Sequence, residues 1–261
     1  SSIAGKELIS HEYNDYNLLP NRYIKRLIPE NWEGTISHDF NNVRKDFSRR
    51  LSQNYLALYF KKLKQELNCH SILQIPEKHP DWKMVNISKI LDQSHATFLD
   101  KQEGEDAPVL SLTKNDGLIA QSDRFGHSVA IEDLSKYLLV RKGWIVANPM
   151  VIWEGAIHAL HELGAGVVSP AYHVWKPNST NIDLRYLDFI LKTPHVINEY
   201  RRLSAGGVKR RRSVSPLDFT RISIPIPTGD TAVELWGAMN NLDSNFEEVV
   251  EKLILETIEG E

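Results

Sequence analysis

The residues whose chemistry stands out are cationic. Lys209-Arg210-Arg211-Arg212-Ser213 follows Gly206-Gly207, with Arg201 and Arg202 a few positions earlier. A run of like charge is solvated surface about as often as it is a binding site. Two features favour binding here: four successive cations repel one another unless anions such as phosphates compensate, and a diglycine lets the backbone approach another surface closely. A second polar stretch runs from Thr113-Lys114-Asn115-Asp116-Gly117 to Gln121-Ser122-Asp123-Arg124. Arg pairs with guanine and Asn or Gln with adenine, each worth about 1–3 kcal/mol of discrimination. The plainer reading of Asn115–Gly117 is a hairpin loop whose Asn-Asp-Gly turns the chain.

Other reactive patterns are incomplete. Asn148-Pro149-Met150 lacks the second proline and the ring of the Asn-Pro-Pro-aromatic motif with which adenine methyltransferases hold a base. No Gly-rich strand-to-helix turn accompanies it, so it reads as a strand end turning at a proline. His158, His161 and Glu162 invite a metal reading, but the histidines are three apart rather than four and glycines crowd the segment. Surface or packing histidines are the better reading. There is no Gly-x-Ser-x-Gly, Cys69 has no motif around it, and Pro80-Asp81 lacks a Glu-x-Lys downstream. The sequence therefore predicts no catalytic residue and no metal ligand.

The elements that must position these residues follow from composition and period. The 261 residues are 41% hydrophobic and 25% charged, the mixture of a globular protein of one or two domains. Lys and Arg total 31 against 34 Asp and Glu, a formal charge of −3. One cysteine precludes an internal disulfide and suits a reducing cytoplasm. No apolar run approaches the roughly 18 residues of a membrane span. The start, Ser1-Ser2-Ile3-Ala4-Gly5, has no secretory core and no initiating Met, and reads as that of an excised or tagged fragment.

Residues 1–38 read as an extension broken by Pro20 and Pro29. Val43, Phe47, Leu51, Tyr55 and Leu58 recur at helical spacing and predict a helix over 39–68, capped by Ser37 or Asp39 and ended by Asn68 and Cys69. Leu73–Asp81 is a Pro-punctuated connector. From Trp82 to about Pro227 short apolar runs bounded by Gly, Pro and Asn give the pattern of an α/β or α+β domain. Strands are expected at Val109–Thr113, Leu118–Gln121, Tyr137–Val140, Trp144–Ala147, Gly166–Ser169, Tyr172–Trp175 and Ile222–Ile226. Helices are expected at Leu184–Leu191 and at Pro194–Leu203, the second capped by Thr193 and closed by Gly206-Gly207. A last helix over 232–258 places Leu235, Met239, Leu242, Phe246, Val249 and Leu253 on a heptad seam. Its other faces are acidic (Glu234, Asp243, Glu247, Glu248, Glu251, Glu256), which leaves the rest of the chain net basic. That opposition of charge predicts that the 39–68 and 232–258 helices pair, within the chain or with a second copy.

The order of these features resembles the specificity (S) subunits of type I restriction–modification systems. The resemblance lies in Trp82–Ile90, Leu110–Gly117, Gly166–Trp175, Arg211–Phe219 and Ile222–Pro227, taken in their order and spacing. It implies an α+β fold: a mixed-sheet DNA target recognition domain over 82–230 with long flanking helices, the last a spacer or dimerisation helix over 232–258. It further implies sequence-specific DNA recognition, directing a partner methyltransferase and nuclease to their site without catalysis of its own. S-adenosylmethionine, Mg and ATP would then belong to the methyltransferase and restriction subunits. On this basis Thr113, Lys114, Gln121, Ser122 and Arg124 are assigned to base reading and Lys209, Arg210, Arg211 and Arg212 to phosphates. The expected partners are double-stranded DNA and those subunits, with a homodimer through the C-terminal helix as one arrangement, and no membrane. A complete S subunit has two recognition domains and this chain has one; Thr228-Gly229-Asp230 stands where the family has Glu-Gln. Asp15–Ile24 resembles the segment after the catalytic domain of fused adenine methyltransferases, so the alternative is the C-terminal specificity portion of such an enzyme.

Overall fold

The structure, a computed structural model, describes residues 38–103, 105–113, 117–122, 133–161, 163–178, 181–204 and 213–244, with side chains from Ser52 to Leu242. The chain forms two compact units, residues 1–55 with 230–261, and residues 56–229.

Helix α1 spans His38–Glu66. Leu56, Phe60 and Leu63, at i, i+4 and i+7, are its buried residues in the second unit. Asn68 takes a left-handed conformation (φ 48°) and the Cys69 amide turns back to the Lys64 carbonyl at 2.7 Å. Lys78 closes this end by donating from Nζ to the Leu67 and Asn68 carbonyls at 3.0 and 2.7 Å. Lys78 sits on α2 (Ile75–Lys78), one turn within the connector, where Pro76 falls at the start and breaks no helical bond.

The strands that follow are β1 (Trp82–Asn86), β2 (Leu91–Ser94), β3 (Leu110–Leu112), β4 (Leu118–Ala120), β5 (Leu138–Arg141), β6 (Ile145–Ala147), β7 (Ile157–Ala159), β8 (Ala165–Val168) and β9 (His173–Pro177). Then come α3 (Leu184–Ile190), α4 (Pro194–Leu203), α5 (Pro216–Arg221), β10 (Ser223–Pro227) and α6 (Gly229–Ser244). This mixture is an α+β fold. One sheet has the order β2-β9-β6-β7; β1–β10, β3–β4 and β5–β8 are two-stranded. Among the described residues every ladder between these strands is antiparallel, and the parallel component of the expected mixed sheet is a single bridge, Val109–Val167.

All seven expected strands form; β1, β2 and β7 were not anticipated. β1 has exposed Lys83 and Met84 and pairs with β10, Trp82 opposite Pro227 and Asn86 opposite Ser223. β2 carries Asp-Gln-Ser, and β7 holds a buried histidine between Ile157 and Ala159. Helix α5 was also missed: its six residues are started by Ser215, whose Oγ accepts from the Asp218 amide.

Two aromatic clusters organise the second unit. Phe60 of α1 meets Trp82 of β1 edge-on at 5.5 Å and stacks on Phe189 of α3 at 5.9 Å. Tyr186 joins them and donates to the Pro225 carbonyl at 2.6 Å, tying α3 to β10. On β9, Trp175 lies 4.6 Å from Phe219 of α5, which stacks on Tyr200 of α4. In the other unit, Leu235, Met239 and Leu242 of α6 are buried within the single chain. Phe246, Val249 and Leu253 lie outside the described residues.

Candidate nucleic-acid interface

The β3–β4 hairpin carries the candidate base readers. Leu110 pairs with Ala120, Ser111 with Ile119 and Leu112 with Leu118. Alternation sends Leu110 and Ala120 into one buried cluster with Val140, Val146, Leu160, Val168 and Val174, against which Leu112 and Leu118 also pack. The turn closes through the Thr113 amide and hydroxyl, both donating to the Gly117 carbonyl at 2.9 and 3.0 Å. Gly117 has φ 82°, the left-handed conformation that suits glycine. At the other end the Gln121 amide donates to the Val109 carbonyl at 2.9 Å.

Thr113 and the Gln121-Ser122 pair therefore occupy opposite ends of the hairpin, four residue steps or about 14 Å apart. The structure does not bring them together. The Thr113 hydroxyl donates to the Gly117 carbonyl, Ser122 is exposed, and Gln121 Oε1 is enclosed with no hydrogen-bond partner among the described residues. Lys114 and Arg124 lie outside the described residues.

The basic run Lys209–Arg212 and the diglycine before it also lie outside the described residues, but both flanks are anchored. Before them, α4 buries Val196, Ile197 and Tyr200, leaves Arg201 and Arg202 exposed, and closes with the Ser204 amide on the Tyr200 carbonyl at 2.9 Å. Arg202 forms an exposed pair with Glu199 at 2.6 Å, and that bond raises the guanidinium pKa. After them, Val214 is buried and its amide reaches the Pro149 carbonyl at 3.2 Å. Asn148-Pro149-Met150 is a turn in which Asn148 Oδ1 accepts from the Met150 amide; its work in the fold is to receive Val214.

His158 and His161 belong to a polar cluster that spacing along the chain does not reveal. Asp188 of α3 is buried and accepts from Lys192 Nζ at 2.8 Å and from the Ala159 amide at 2.9 Å. His158 Nδ1 lies 3.8 Å from Asp188 Oδ1, and His161 Nε2 lies 3.7 Å from Oδ2. Burial opposes ionisation of Asp188, but His161, Lys192 and His158 outweigh it and hold the carboxyl far below its usual range. Lys192 Nζ is also 3.1 Å from His158 Nδ1. The cluster pins α3 to β7. Among the described residues no group of His, Cys, Asp or Glu is arranged to hold a metal ion. The available signal was the Asp188–Lys192 pair at i, i+4.

Among the described residues no helix is long and apolar enough to cross a membrane. No protein-family model and no curated protein matches the chain. Solved structures similar to it include the HsdS subunit from Thermoanaerobacter tengcongensis, 13% identical with a TM-score of 0.38 over 82% of this chain and 48% of that one. The type I restriction–modification S subunit from M. genitalium is 12% identical, with a TM-score of 0.40 over 82% of this chain and 56% of that one. A chain from a structure on assembly and conformational transition of the type I restriction–modification system is 10% identical, with a TM-score of 0.37 over 91% and 63%. This chain spans less than two thirds of each.

Proposed function

We propose that this chain is a target recognition module of a restriction–modification system, holding one stretch of duplex DNA for partner methyltransferase and restriction subunits. The observation that carries the reading is the β3–β4 hairpin, which buries its apolar face in the core and holds Thr113 at one end and Gln121 and Ser122 at the other. About 14 Å corresponds to roughly four base-pair steps along the duplex. Lys209–Arg212, with Arg201 and Arg202, supply the positive charge that fixes register on phosphates while the hairpin specifies. S-adenosylmethionine, Mg and ATP chemistry is assigned to the partners, and this chain is not itself an enzyme.

A second reading, the specificity portion of a fused adenine-specific methyltransferase, is favoured by the resemblance of Asp15–Ile24. Both share the recognition role, which is tested by titrating the protein into fluorescent duplex carrying randomised positions, at about 50 mM salt, and sequencing what it retains. Retention with enrichment of a short sequence supports the role. Absence of binding at that salt refutes it and favours a protein-interaction module.

A further inference from the structure

An added Cβ would meet nothing within 4 Å at Gly143, Gly155, Gly164, Gly229 or Gly237. Gly166, in the middle of β8, differs. A Cβ there would lie 2.6 Å from Leu110 Cγ, 3.2 Å from Cδ2, and nearer still to Cδ1. Leu110 is the first residue of β3 and is buried in the central cluster. The missing side chain is therefore the seat into which the hairpin drops its innermost leucine. Backbone bonds hold the same junction: the Val167 amide donates to the Pro108 carbonyl at 2.9 Å, Val109 bridges Val167, and the Gln121 amide returns to the Val109 carbonyl.

We propose that Gly166 is a positioning residue for sequence reading: by letting Leu110 sit directly on β8, it fixes the height and tilt of the hairpin that carries Thr113, Gln121 and Ser122. This rests on the hairpin being the reading element. Non-bonded carbons prefer about 3.5–4.0 Å, so a methyl at residue 166 displaces Leu110 by about 1 Å. Hydrogen bonds to base edges work within about 2.7–3.2 Å and do not survive such a shift. Attraction between basic side chains and phosphates is long-ranged and does survive it. Gly166 thus governs discrimination and leaves general DNA affinity alone, a separation that a purely structural role would not produce.

The test uses the full chain. A duplex enriched by the wild type from a randomised pool is compared with a scrambled duplex of the same composition, and the affinity ratio is measured for Gly166→Ala. The ratio is expected to fall about tenfold or more, the value of at least one base contact, with scrambled-duplex affinity held within about twofold. Leu110→Ala, which empties the seat without a clash, is expected to give the same loss and serves if Gly166→Ala does not fold. Hydrogen exchange at the Thr113 and Gln121 amides is expected to quicken in Gly166→Ala and to slow again in Gly166→Ala/Leu110→Ala. A discrimination ratio equal to wild type in both single variants, or unchanged exchange at those amides, overturns the seat. A wild type that enriches no duplex overturns instead the reading on which the seat's function rests.

Discussion

Replacing Asp188 by Asn keeps shape and volume while removing the charge at the centre of the α3–β7 junction. The Asn carbonyl can still accept from the Ala159 amide, so that 2.9 Å bond survives the substitution. What disappears is the carboxylate charge 2.8 Å from the Lys192 ammonium, which sits on a side chain only 17% exposed. Removing one member of a buried pair typically destabilises by about 3–5 kcal/mol, because the other is left uncompensated. Lys192 has partial access to water, which lowers the expected loss to about 2–4 kcal/mol. Lys192→Met in the same background removes the stranded charge and should recover a large part of it. Urea unfolding followed through the fluorescence of buried Trp82 and Trp175 measures both. The pH dependence has a definite sign. The folded carboxyl sits far below its usual range, so its stabilisation is fully present above about pH 5 and is lost as pH falls below about 4, where the unfolded chain protonates first. The gap between wild type and Asp188→Asn should therefore shrink on acidification. A variant within about 0.5 kcal/mol of wild type at pH 7, or a gap independent of pH, refutes the argument.

Lys78→Ala removes the ammonium from the Leu67 and Asn68 carbonyls just past the end of α1 and should destabilise by about 0.5–1 kcal/mol, fraying the helix end in hydrogen exchange. Met239→Asp places a charge at a fully buried position of α6 and should abolish exchange protection there while the β1–β10 amides keep theirs. S-adenosylmethionine should leave the melting temperature unchanged; a rise that grows with its concentration would place methyl-donor binding in this chain and assign it to an enzyme.

Much of the fold was legible where one local rule sufficed. Pro194 after Thr193 marked the start of α4, although the Thr193 hydroxyl donates to the Ile190 carbonyl instead of capping the helix. Asn115-Asp116-Gly117 between Leu110–Leu112 and Leu118–Ala120 marked the hairpin. What stayed hidden depends on partners distant in sequence. Trp82–Asn86 becomes a strand through β10, some 140 residues away, and His158 finds Asp188 thirty residues on. The candidate readers were legible as residue types but not as geometry. Thr113 and Gln121 look like neighbours along the chain, and the β3–β4 pairing places them at opposite ends of one hairpin. Nor could spacing show that Gly166 is empty because Leu110 fills it.

The most direct test of the recognition reading is the salt dependence of duplex binding, wild type against Arg210→Ala/Arg211→Ala. The account predicts that log affinity falls linearly with log salt, and that the double variant flattens the slope by about 0.9 for each phosphate no longer neutralised, equally on every sequence. Identical slopes for the two proteins would take the basic run off the DNA and contradict the account.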